Sequence, residues 1–130
     1  MRIIHTNAIE YILRVPLFLT FFGHGKLALK SKQHWVVYLQ TVGLSYENGI
    51  KIMPFIGVLD VLVAIIILLK PYKSVVLWSV FLGFATALIR PLSGEDVWSF
   101  IERGVNWGAP LALYFLLTIK LKNKLSITKN

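Results

Sequence analysis

Eighteen consecutive residues, Ile52 to Leu69 (IMPFIGVLDVLVAIIILL), carry a single charge, Asp60, near their middle. At 1.5 Å of rise per residue a helix of that length is about 27 Å long, close to the ~30 Å hydrocarbon thickness of a bilayer. The stretch therefore reads as a transmembrane helix. It places Asp60 near the bilayer midplane, where an ionised carboxylate costs at least ~2.5 to 3.5 kcal/mol unless it faces a partner or a water-filled cavity. The other helices must supply that environment, so the search for function becomes a search for what meets Asp60.

The rest of the chain agrees with a membrane setting. Hydrophobic residues make up 56% of the 130 residues and the mean hydropathy is +0.68, against about 45 to 50% apolar residues in soluble domains. A soluble helical protein of this size would show periodic polar faces, whereas four separate runs here are apolar on nearly every side. The formal charge of +8 does not point to nucleic acid, because the basic residues gather at the ends of the apolar runs, where lipid headgroups and topology account for them. No cysteine is present, which excludes disulfides, thiol redox chemistry and iron–sulfur ligation. His5, His24 and His34 share no metal-ligand spacing, and His5 is expected on the opposite side from the other two, so no metal or haem site is expected.

Four spans in one domain, residues 1–130, follow from the apolar runs: about 8–29, 50–69, 74–90 and 106–121. The first contains Arg14 and Pro16 and has no small-residue cleavage site behind it, which is unlike a signal peptide. On a helical wheel Glu10, Arg14, Leu17, Phe21, Gly25 and Ala28 share a face about 60° to either side of Arg14. Gly57, Asp60 and Ala64 share a face of the second span, and Ser79, Gly83, Thr86, Ala87 and Arg90 form a stripe on the third; small residues of this kind let helices approach closely. Lys70 to Lys73 form a tight connection, so the second and third spans are antiparallel neighbours. Between spans, His34–Leu44 reads as a short interfacial helix, followed by a turn through Ser45 to Gly49. A second interfacial helix is predicted after Pro91, with Ser93 as its N-cap, Trp98, Phe100 and Ile101 on its apolar side and Gly104 as its stop. The basic tail after Leu121 is expected to fray. Arg2, Lys70, Lys73, Lys120, Lys122, Lys124 and Lys129 fall on one side, and Lys26, Lys30, Lys32, Lys51, Arg90 and Arg103 on the other, which favours both termini in the cytoplasm.

The residues LRVPLFLTFFGHGKL (Leu13 to Leu27), GVLDVLVAIIILL in the second span, and TALIRPLSGEDVWSFIERGVNWGAPLALYFLL (Thr86 to Leu117) together resemble the DoxX-like family of small four-helix membrane proteins, over nearly the whole chain. The resemblance implies a four-helix bundle in a bacterial cytoplasmic membrane. It also implies a role beside quinone-linked sulfur oxidation or as a membrane partner of a redox protein. A related redox branch uses cysteines, which this chain lacks.

Arg14, His24, Lys26, Asp60 and Arg90 form the candidate polar cavity, and Glu102, Asn106 and Trp107 a candidate outer-face network. With straight spans Arg14 lies about 9 Å and Asp60 about 15 Å from the inner boundary, a gap that an arginine side chain covers. The two readings of an Arg14–Asp60 pair are a buried salt bridge that sets helix register and a cavity for a proton, an anion or the polar head of a lipophilic ligand. Glu10, four residues before Arg14, competes for it. Quinone carbonyls would accept hydrogen bonds from His24, Lys26 or Arg90 beside Phe21, Phe22 and Trp107. The expectation is an all-α integral membrane four-helix bundle with two short interfacial helices. Its leading role is a non-catalytic subunit or partner of a quinone-linked or redox membrane system, in contact with the lipid bilayer, a redox protein partner and, in a homo-oligomer, its own copies. An enzyme using Asp60 for proton transfer on a lipophilic substrate, a small carrier and an assembly scaffold are the alternatives.

Overall fold

A computed structural model describes the backbone of residues 2–30 and 33–128, with side chains for 6–30 and 33–126. Lys32, Lys129 and the side chains of Arg2 and His5 lie outside the described residues. The described residues form six helices joined by short turns: α1 (Arg2–Leu29), α2 (Gln33–Thr41), α3 (Tyr46–Leu69), α4 (Lys73–Leu92), α5 (Trp98–Ile101) and α6 (Gly104–Thr128). Three stretches, Thr6–Leu29, Tyr46–Leu69 and Lys73–Leu92, are long and apolar enough to cross a membrane. α6 has 25 residues, with Gly104 and Asn106 near its start and Lys120, Lys122 and Lys124 near its end.

α1 packs along α3, and α4 along α6, while α1–α6 and α3–α4 contacts join the two pairs. The small residues sit where the sequence puts them. A Cβ on Gly25 would come within 2.7 Å of the Gly57 carbonyl oxygen, and one on Gly57 within 2.8 Å of the Gly25 carbonyl oxygen. The α1 and α3 backbones are therefore in direct contact, running antiparallel. On α4, a Cβ on Gly83 would collide with the Asn106 carbonyl of α6. Ser79 and Ala87, one turn to either side of Gly83, are fully buried. Leu17, Phe21, Val63, Ala64, Ile67, Val76 and Leu113 form the main core, and a second cluster of Ala28, Val36 and Met53 holds α2 against α1 and α3. Large apolar side chains such as Ile12, Phe55, Phe81 and Phe115 point outward, as a lipid-facing surface requires.

Several boundaries differ from the sequence reading. α3 begins at Tyr46 rather than near Ile50, because the Ser45 hydroxyl accepts from the Asn48 amide at 3.3 Å and caps the helix. Pro91 does not end α4. Its fixed φ is compatible with helical backbone, and only Leu92 follows it before the helix ends. Gly94, with φ +98°, reverses the chain instead. Ser93 is no N-cap; its hydroxyl donates back to the Arg90 carbonyl at 2.7 Å, and Asp96 accepts from the Trp98 amide at 2.9 Å. The second interfacial helix shrinks to the single turn α5, and Gly104, expected to stop it, opens α6. The tail does not fray before Thr128.

Candidate functional site

Arg14 does not reach Asp60. The last carbonyls of an α-helix lack intrahelical partners and carry partial negative charge, and the C-terminal end of α3 presents two of them to α1. Arg14 Nε donates to the Ile67 carbonyl at 2.9 Å, and Nη2 donates to the Leu68 carbonyl. Nη1 donates to Glu10 Oε1 at 3.1 Å. The other Glu10 oxygen takes Lys120 of α6 at 2.5 Å, and Lys120 also donates to Asn7 at 2.8 Å. Glu10 and Arg14 are 7% and 6% exposed, so this is a buried polar clamp joining α1, α3 and α6. Straight-span geometry missed it because it compared side chains alone and left out the unpaired carbonyls seven and eight residues beyond Asp60.

Asp60 faces a different region. α3 and α4, joined by only Lys70, Pro71 and Tyr72, touch much less than α1 with α3 or α4 with α6, and a cavity of about 380 Å³ lies between them. Asp60 and His24 line it, with Ile56 and Leu59 from α3, Trp78, Leu82 and Thr86 from α4, and Trp35 and Tyr38 from α2. A smaller cavity of about 20 Å³ is bordered by Thr20, His24, Asp60, Thr86 and Asn106, room for a single water molecule. Asp60 is 7% exposed, and its Oδ1 is fully buried without a hydrogen-bond partner. It makes no ion pair among the described residues.

Arg90 and Arg103 line the large cavity together with Asn106. Arg90 Nη1 lies 3.4 Å from Glu95 Oε2, and its guanidinium stacks 5.0 Å from the centre of the Tyr38 ring. The Tyr38 hydroxyl donates to Glu95 Oε1 at 2.5 Å. Arg103 donates to the Ser99 carbonyl at 2.7 Å and pairs with Glu102. The His24 ring meets Trp35 edge-on at 5.7 Å.

Of the sequence candidates, His24, Asp60, Arg90 and Asn106 meet at one cavity. Arg14 belongs to the clamp. Lys26 is exposed and lines nothing, and Glu102 is an exposed partner of Arg103. Trp107 packs on Phe84 at 5.8 Å with its indole Nε1 buried and unpartnered, outside the cavity lining. Sequence reasoning missed Trp35, Tyr38, Trp78, Thr86 and Arg103 as lining residues. Trp78, Leu82, Ala85 and Ile89 recur at helical spacing beside the small-residue stripe of α4, and that is the signal that would have found this wall.

The Tyr38–Glu95 hydrogen bond beside the cavity is expected to depend on pH. Glu95 is held below its ordinary 4.5, first by the Tyr38 hydroxyl that donates to it. Tyr38 is raised above 10.0, first by burial and next by that same bond. A lowered carboxyl stabilises the fold above its ordinary pKa, and that contribution disappears as pH falls through the lowered value. A raised phenol stabilises below its ordinary pKa and ceases to do so as pH rises through the raised value. Thermal melts across pH should therefore show an acid-side loss beginning below about pH 4.5, flattened in Tyr38→Phe. Superimposable acid limbs for the two proteins would remove Tyr38 as the cause.

No family model, curated protein or solved structure matches the chain. The cavity has hydrogen-bond donors at Arg90, Arg103 and Asn106, an acceptor at Asp60, and aromatic and aliphatic walls, which is the chemistry of a site for an amphiphile.

Proposed function

We propose that this chain is a four-span integral membrane protein that holds the polar head of a lipophilic ligand between α3 and α4, as a non-catalytic subunit or partner of a quinone-linked or redox membrane system. The observation that carries the reading is the unpartnered, buried Asp60 facing a cavity of about 380 Å³ with otherwise largely apolar walls. A buried polar atom without a partner is costly in a helix assembly and is kept where something else meets it. α6 supplies the fourth span: it lies against both α1 and α4, and its lysine-rich end would sit at the headgroups beside Lys70 and Lys73. The excess of lysines at that end favours both termini in the cytoplasm. Quinone fits as the ligand head because its two carbonyl oxygens would accept from Arg90, Arg103 or Asn106. The DoxX-like resemblance, carried by Leu13–Leu27, the second span and the Thr86–Leu117 block, points the same way.

The absence of an ion pair at Asp60 among the described residues also favours a second reading, an enzyme in which this carboxyl takes a proton from a lipophilic substrate. Native mass spectrometry of protein extracted from its own membrane tests the main reading. A quinone or other lipophile retained at one per chain is expected, and lost in Ala85→Trp, which fills the cavity. A stoichiometric protein partner with no small molecule would replace ligand binding by scaffolding.

A further inference from the structure

We propose that the cavity between α3 and α4 selects a bilayer-dissolved amphiphile whose head carries a hydroxyl or N–H donor, given to the Asp60 carboxyl. This rests on the cavity being a ligand site and adds to it the polarity of the head and the route of entry. Among the described residues Asp60 is the one carboxyl lining the cavity; Glu95 and Glu102 stand beside Arg90 and Arg103. Both guanidinium groups line the same cavity as Asp60, and a carboxyl group keeps an acceptor oxygen in either protonation state. Its Oδ1 has no donor from the protein. A head that brings a donor gives this carboxyl the partner it lacks; a head with acceptors alone leaves it without a donor, the situation in which polar sites discriminate most strongly.

The route follows from the walls. Leu59 of α3 and Trp78 of α4 line the cavity and are each 43% exposed, so the gap between these helices is flanked by apolar side chains. Above it, the roof of α2 is tied down by the Tyr38–Glu95–Arg90 contacts. The ligand enters sideways from the lipid. At about 380 Å³ the cavity is at the small end of the ~300 to 1,000 Å³ of small-molecule pockets, which suits a single-ring head and a few methylenes, with the remainder of the tail in the bilayer. Within the quinone reading, this assigns the site to the reduced, phenolic form.

The test uses the full chain in lipid nanodiscs with a matched pair of probes, para-nonylphenol and its methyl ether, and reads Kd from quenching of tryptophan fluorescence. The phenol is expected to bind at least about tenfold more tightly, and Asp60→Leu to bring the two affinities together. Ala85→Trp is expected to abolish both, with thermal melts confirming that each variant is folded. Equal affinity of the two probes for the unaltered protein overturns this inference and leaves the cavity as a ligand site. A preference retained in Asp60→Leu, or in Ala85→Trp, overturns the assignment to Asp60 or to the cavity. Binding of neither probe overturns the inference, and a native mass spectrum without a lipophile would then remove the ligand site as well.

Discussion

Arg14→Met is expected to lower the stability of the detergent-solubilised protein by about 3 to 5 kcal/mol, the range seen when one partner is removed from a buried ion pair. Three bonds are lost together: two to the Ile67 and Leu68 carbonyls and one to Glu10. The methionine fills similar volume, so packing loss is small and the effect isolates the polar clamp. Lysine should restore less than half of it, because an ammonium can face Glu10 but lacks the planar fork that spans two neighbouring carbonyls. Adding Glu10→Gln to Arg14→Met should cost less than the sum of the two single changes, since Glu10 is left with only Lys120 once Arg14 is gone. Equilibrium unfolding in mixed micelles measures all four proteins. A stability of Arg14→Met within about 0.5 kcal/mol of the parent, the range of ordinary surface substitutions, would show that the clamp holds nothing together.

The second large effect is expected at the glycine contact. Gly57→Val should destabilise by about 3 kcal/mol, the upper end for overpacking. The first added carbon would already lie 2.7 Å from the Leu29 amide nitrogen and 2.8 Å from the Gly25 carbonyl oxygen, and these are backbone atoms that cannot rotate away. The helices must part, and Arg14 would be drawn off the α3 carbonyls as they do. Gly57→Ala should show the same loss at smaller size, about 1 to 2 kcal/mol. Gly108→Ala is the control, because a Cβ there meets nothing within 4 Å, and it should melt with the parent. Equal melting of Gly57→Val and Gly108→Ala would mean that α1 and α3 are not in contact through these glycines.

The two effects fall in different classes of legibility. The close approach at Gly57 was readable beforehand, because Gly57, Asp60 and Ala64 recur at helical spacing and small residues on one stripe of an apolar helix have few other uses. The stripe of Ser79, Gly83 and Ala87 on α4 was readable for the same reason and is buried in the same way. The Arg14 clamp was not. A wheel shows which side chains share a face, and it omits backbone carbonyls; the partners of Arg14 are two carbonyls at the end of another helix. Helix ends were misplaced on similar grounds. Residue type puts the end of the third span at Arg90 and a stop at Gly104, whereas the chain reverses at Gly94, the residue with positive φ.

That the chain is helical and apolar enough to span a membrane, and that one face each of α3 and α4 is built of small residues, could be read from the order of residues alone. Both follow from periodicity and composition along a single helix, where neighbours are set by a rise of 1.5 Å and a turn of 3.6 residues. Which cation meets which acid was decided only in three dimensions. Arg14 went to helix-end carbonyls, Arg90 to Glu95 and Tyr38, and Asp60 to a cavity opened where α3 and α4 diverge. Such choices depend on distances between elements remote in the chain, and hydrogen-bonding demand at a helix terminus outweighs a charge pairing that looks favourable along the sequence.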